Sequence, residues 1–228
     1  MLWHAVNLVA FLSGFLFIIG DDLLKVKRGQ LTFDAEGNDK KGSRYFSRVP
    51  HVPTSSSGIT LGRGYDLKHK SQKKVFKDLE SIGISKCTAA KFSKGVGIKG
   101  NEAKNYLKKN GITEFLITHE QQKKLFDITY KEEAAEAKRI ATKSDVEEAY
   151  GKTDWDKLND AIRDVVVDLK YRGDYTPKTR KKIQAAIASN DLKRFTKLMG
   201  DRDYWVKQIG VPKDRFERRK AALELENC

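Results

Sequence analysis

Residues 57–67 read Ser57-Gly58-Ile59-Thr60-Leu61-Gly62-Arg63-Gly64-Tyr65-Asp66-Leu67. Apolar positions flank Gly62-Arg63-Gly64, and two glycines around one residue suit a tight reversal of the chain. The stretch predicts a small hairpin over about 57–66. Its glycine pattern is not a nucleotide signature, because it lacks the third glycine and the following helix of a dinucleotide fingerprint and the lysine of a phosphate loop. The surrounding segment, 21–70, holds Gly37, Gly42, Pro50 and Pro53 and the turn-rich run His51 to Gly58. Apart from a short helix over about 21–30 carrying Lys25, Lys27 and Arg28, it is expected to be irregular chain.

Downstream of residue 70 the texture becomes helical. Ser71 can cap a helix whose face is Val75, Phe76, Leu79 and Ile82, ending at Gly83. Ser85 can cap a short second helix, and Asn101 begins a third that stops at Gly111. Thr118 and Gln121 form a capping-box pattern ahead of a long helix with Leu125, Phe126, Ala137 and Ile140 inward. Trp155, Leu158, Ile162, Val165, Val166 and Leu169 recur at helical spacing up to Gly173, and Thr176-Pro177 starts the next helix. A short helix around Leu192 to Met199 and a last one from about Pro212 to Leu223 complete the series. The fold class is therefore α+β, with a small loop-rich lobe over 21–70 and a mainly α-helical lobe over 71–228.

The first twenty residues stand apart. Met1 to Gly20 contains no Lys, Arg, Asp or Glu, and Leu8 to Ile19 is apolar except for Ser13 and Gly14. Asp21 and Asp22 end the run. This reads as a secretory signal peptide over 1–20 and implies a secreted, extracellular protein. The alternative is a membrane anchor, for which the run is short of the roughly 20 residues a spanning helix needs. The whole chain of 228 residues carries 45 Lys and Arg against 31 Asp and Glu, a net charge of +14. Such a field attracts polyanions, including nucleic acid, anionic headgroups and wall polymers, without choosing among them.

Few residues carry the pattern of a reactive centre. Cys87 and Cys228 are the two cysteines; in an oxidising compartment they either pair as a disulfide or remain thiols. His51, His69 and His119 share no metal-ligand spacing, so no metal site is read from them. No Gly-x-Ser-x-Gly elbow is present. The densest polar run of the first lobe is Asp34-Ala35-Glu36-Gly37-Asn38-Asp39, followed some twenty residues later by the 57–66 hairpin with Asp66. Glycoside hydrolysis needs two carboxyl groups, one protonated and one ionised, kept distinct by their surroundings. An acidic residue before Gly and Asn is equally what a solvated turn contains, so the residues alone leave both readings open.

The 57–67 segment resembles the Ser-Gly-Val-Thr-Ile-Gly-x-Gly-x-Asp-Leu segment of the phage-type lysozyme superfamily. The match is nearest to the branch holding pesticin and the bacterial toxin homologues of phage lysozyme. Phe33-Asp34-Ala35-Glu36-Gly37-Asn38, Tyr45-Phe46-Ser47-Arg48-Val49-Pro50 and Asp168-Leu169-Lys170-Tyr171-Arg172-Gly173 are also similar to that branch. The resemblance implies a lysozyme-like fold and a peptidoglycan-cleaving muramidase that uses no cofactor. It implies Glu36 as general acid, with Asp66 and Thr60 positioning and activating the attacking water. Arg63 and Tyr65, inside the same segment, are the expected substrate contacts. The expected partners are peptidoglycan and the anionic bacterial surface, approached as a monomer, with no specific nucleic-acid target. A non-catalytic cationic protein on the same scaffold, binding bacterial surfaces by charge, is the alternative.

Overall fold

Most helix starts in this chain are fixed by a side chain that accepts one of the free N–H groups of the first turn. The computed structural model describes residues 24–43 and 45–225. The proposed leader over 1–20 and Cys228 lie outside them. The elements are α1 (Gln30–Ala35), β1 (Thr60–Leu61), β2 (Tyr65–Asp66), α2 (Gln72–Ser81), α3 (Lys86–Ser93), α4 (Gly100–Lys109) and α5 (His119–Ala141). They continue with α6 (Ser144–Tyr150), α7 (Asp160–Arg172), α8 (Pro177–Ala188), α9 (Leu192–Met199) and α10 (Lys213–Leu225). A 3₁₀ turn at Trp155–Lys157 and a π-helical turn at Asp203–Gln208 link the later helices. The architecture is mainly helical with one small antiparallel sheet, an α+β arrangement.

Ser71 Oγ accepts from the amide of Lys74 at 3.2 Å and Ser85 Oγ from that of Thr88 at 3.3 Å. Thr118 and Gln121 form the expected reciprocal box, at 3.1 and 2.9 Å. Thr176 caps α8 with Pro177 in the first turn. Each such cap stabilises its helix by about 1 kcal/mol.

Three expectations are corrected. The first helix does not occupy 21–30: residues 24–29 are irregular, and α1 begins at Gln30. The Gln30 side chain accepts from the Val26 amide and donates to the Leu24 carbonyl, so it satisfies that backbone in place of a helical ladder. The apolar series from Trp155 to Leu169 is not one helix. Asn159 Oδ1 accepts from the amides of Ala161 and Ile162, starting α7 afresh. Finally α6, for which no helix is expected from sequence, buries Val146 alone and so leaves almost no apolar period to read.

The two hydrophobic cores do not divide at residue 70. One core gathers Phe33 of α1 with Phe126, Ile162, Val165, Leu169, Ile183, Phe195 and Trp205. A second gathers Ile59, Leu61, Tyr65 and Leu67 of the hairpin with Val75, Leu79, Phe92, Leu107, Ile117 and Leu125. Helix α1 thus belongs to the large helical core, whereas α2–α4 complete the small core that covers the hairpin. A two-residue hairpin has too little apolar surface to be stable alone and needs this cover. Among the described residues no helix is long and apolar enough to cross a membrane.

Candidate active site

The hairpin pairs Thr60 directly with Asp66 and Leu61 with Tyr65. Directly opposed residues share one face with Cβ atoms roughly 5 Å apart. Spacing of six positions in sequence therefore becomes side-by-side placement of a hydroxyl and a carboxylate. Thr60 is further held by two backbone hydrogen bonds with His51, at 2.8 and 3.0 Å. Asp66 Oδ1 accepts from the Lys68 amide at 2.7 Å. A Cβ at Gly58 would stand 2.6 Å from that same oxygen, so this position must be glycine for the carboxylate to lie where it does.

The turn of the hairpin is fastened from the far side of the fold. Tyr171 of α7 donates its hydroxyl to the Arg63 carbonyl at 2.7 Å. Gly64 has φ +87°, and a Cβ there would meet the Tyr171 ring at 2.6 Å. Tyr171 in turn stacks on Phe126, which also meets Phe33 of α1 and Tyr130.

Helix α1 ends at Ala35, so Glu36 is the residue that leaves it. Its carboxyl is one-fifth exposed, and Oε1 accepts from Arg215 Nη1 at 2.6 Å. Arg215 comes from α10 and is shared: its Nε and Nη2 donate to the two oxygens of Asp168 at 3.1 and 2.6 Å. Asp168 is fully buried on α7 and also takes Arg219 Nε at 2.6 Å. Arg219 reaches Asp174 at 3.0 Å, and Arg172 closes the chain on Asp174. Three carboxyls and three guanidiniums thus form one network at the end of α7. Burial would raise the Asp168 carboxyl, but Arg219 and Arg215 hold it below its ordinary value. For Glu36 the outcome is reversed. Burial pushes its carboxyl above the usual range, and the Arg215 charge and hydrogen bond do not bring it back; Asp168 adds a further upward push. Because Oε1 is engaged by a donor, Oε2 is the oxygen available to carry the proton.

Glu36, Thr60 and Asp66 line one cavity of about 860 Å³, within the size range of ligand sites at ~300–1,000 Å³. Tyr45 lines it too and is 59% exposed. The wall opposite in sequence is made by Arg172, Pro212, Asp214, Arg215 and Arg218. Sequence reading missed this wall. The available signal was Asp168, a carboxylate in the middle of the apolar run Val165 to Leu169, which requires a buried cation, and the Arg215/Arg219 pair one helical turn apart.

Arg63 and Tyr65 are corrected. Neither lines the cavity. Arg63 is 5% exposed, donates to the Phe33 carbonyl at 2.6 Å and to Asp39 at 2.7 Å, and lies 3.6 Å over the Phe33 ring. Tyr65 is fully buried with its hydroxyl on Asp78 at 2.7 Å. Tyr65 points out of the cleft because it alternates with Asp66 along the strand, and Arg63, in the turn, is drawn to Phe33 and Asp39. Their work is to join the hairpin to α1 and α2. Cys87 is exposed on α3, and the second cysteine, Cys228, lies outside the described residues. Among the described residues no cluster of His, Cys, Asp and Glu could hold a metal ion.

No curated protein matches the chain. A family model described as Domain of unknown function (DUF8812) matches residues 29–220, a span that contains Glu36, the hairpin and Arg219. The chain belongs to the DUF8812 family.

Proposed function

We propose that this protein is a glycoside hydrolase that cleaves the glycan strands of peptidoglycan, related in fold to the phage-type lysozymes and exported through its apolar leader. The observation that carries the reading is the meeting of Glu36, Thr60 and Asp66 in one cavity, with burial holding the Glu36 proton. Glu36 Oε2 donates its proton to the glycosidic oxygen as the C–O bond breaks. Asp66 faces the positive charge that develops on the sugar and takes the proton of the water that adds to the anomeric carbon. The Thr60 hydroxyl, beside it across the hairpin, donates and accepts and so orients that water. The basic surface draws the enzyme to anionic walls.

The test is mass analysis of fragments released from purified peptidoglycan by the wild-type protein. Reducing-end muropeptides support the reading. Binding to the wall with no fragment release would instead favour a non-catalytic cationic protein.

A further inference from the structure

We propose that Arg218 is the residue by which this cleft selects a glycan strand carrying carboxylate groups over a neutral one. The inference rests on the hydrolase reading for its substrate, but its test is a binding preference that does not need turnover.

The cavity lining contains three guanidiniums, and their situations differ. Arg215 spends all its donors' reach on Asp168 and Glu36. Arg172 is held by Asp174 and by the Gly210 carbonyl, at 2.9 Å for the latter. Arg218 is exposed and has no ion pair or hydrogen bond among the described residues. It stands three positions after Arg215 on α10, so the two share a helix face with Cβ atoms about 5–6 Å apart. Arg215 in turn touches the candidate acid. Arg218 therefore lines the same cavity as Glu36, on the wall that α10 contributes.

The other cavity acids do not neutralise it. Asp34 takes Gln30 and lies near Arg63, Glu36 takes Arg215, and Asp66 takes the Lys68 amide. Asp214, one turn back on α10, is exposed and forms no ion pair with Arg218 among the described residues, which leaves the guanidinium for a carboxylate on the strand. Peptidoglycan supplies such groups on alternate sugars, as the lactyl acid itself or through the peptide it bears. A guanidinium fork matches a carboxylate by two parallel hydrogen bonds, and an amide-capped or unsubstituted sugar forfeits them.

The test compares native strands, strands stripped of peptide, and strands whose carboxylates have been converted to amides. Affinity is measured with Glu36→Gln protein, and hydrolysis with protein active at that position. The expected result is a preference for charged over amidated strands that Arg218→Ala reduces by roughly three- to tenfold and Arg218→Lys partly restores. In hydrolysis the loss should lie in KM, since the contact exists before and during the reaction. A preference in stripped strands assigns the lactyl carboxylate; one confined to peptide-bearing strands assigns the peptide. An unchanged preference in Arg218→Ala, or no preference in the parent, overturns the proposal. Absence of hydrolysis by the wild type on every strand would overturn the enzymatic reading instead, while the affinity ratio would still decide the role of Arg218.

Discussion

Asp66 and Glu36, both in the cleft, are held in opposite ways. Asp66 is anchored by the amide of Lys68, two residues further along, inside a hairpin that also presents Thr60. Glu36 is anchored by Arg215, 179 residues away, which itself depends on Asp168 and, through it, on Arg219. One position is defined by a turn of the backbone and the other by how three helices dock. The hairpin side should therefore tolerate changes at the C-terminal helix, while the Glu36 side should register them in its protonation before its position.

The largest expected effect is on the acid. Glu36→Gln keeps the shape and removes the proton, and hydrolysis should fall by about 10²–10⁴-fold. Stability should not fall with it. The folded-state pKa of Glu36 is raised, so its favourable contribution is complete below the unfolded pKa and is lost as pH rises through the folded one. At neutral pH the neutral amide avoids that loss. A thermal melt at pH 7 should place the variant at or above the parent, and a clear drop would mean that the Arg215 contact, rather than burial, governs this residue.

Next comes the network behind it. Asp168→Asn leaves two buried guanidiniums short of a counter-charge and should destabilise by about 3–5 kcal/mol in urea unfolding at pH 7. The sign with pH is opposite to that of Glu36. Asp168 has a depressed folded-state pKa, so its stabilisation is present above the unfolded value and disappears as pH falls through the folded one. Acid unfolding should be steeper in the parent than in Asp168→Asn; equal slopes would take Asp168 out of the account.

The hairpin side gives smaller numbers. Gly64→Ala forces a positive φ on a side chain and drives a Cβ into Tyr171, and should destabilise by about 1–3 kcal/mol. Lys68→Ala should leave melting and hydrolysis near the parent's, because the contact to Asp66 is made by the backbone. A large loss in hydrolysis from Lys68→Ala would show that Asp66 is not locally held.

The smallest effect is a displacement of the pH profile. Arg215→Lys keeps a cation but cannot reach Asp168 and Glu36 together. Arg215 lowers the Glu36 pKa, so weakening it raises that pKa further and keeps the acid protonated to higher pH. The alkaline limb of hydrolysis should move to higher pH. Movement to lower pH would contradict the assignment of Glu36 as the proton donor.

Legibility in the sequence followed the same divide. The hairpin could be read because two glycines around one residue mark a reversal of the chain, whereas Thr60 and Asp66 were singled out by the resemblance of the 57–67 segment and not by spacing. The helix starts at Ser71, Ser85, Thr118 and Thr176 could be read because a cap and its first turn are neighbours in the chain. The placement of Arg63 and Tyr65 was not legible, because whether a turn or strand residue of the hairpin faces core or cleft depends on what covers it, here α1 and α2. The arginine wall was not legible because nothing within α10 states that its cations meet a carboxylate on α7. Asp168, in its apolar setting, asked for a partner without naming one.

One feature of α5 bears on how the whole molecule melts. Leu125 and Phe126 are adjacent, yet Leu125 packs into the hairpin's core and Phe126 into the helical one. A chain with two cores would ordinarily offer two units that open separately. Here a single turn of helix is a structural member of both, so fraying it strips packing from each core at once. Amide exchange around these two residues should track global unfolding, and calorimetry should record one cooperative transition rather than two.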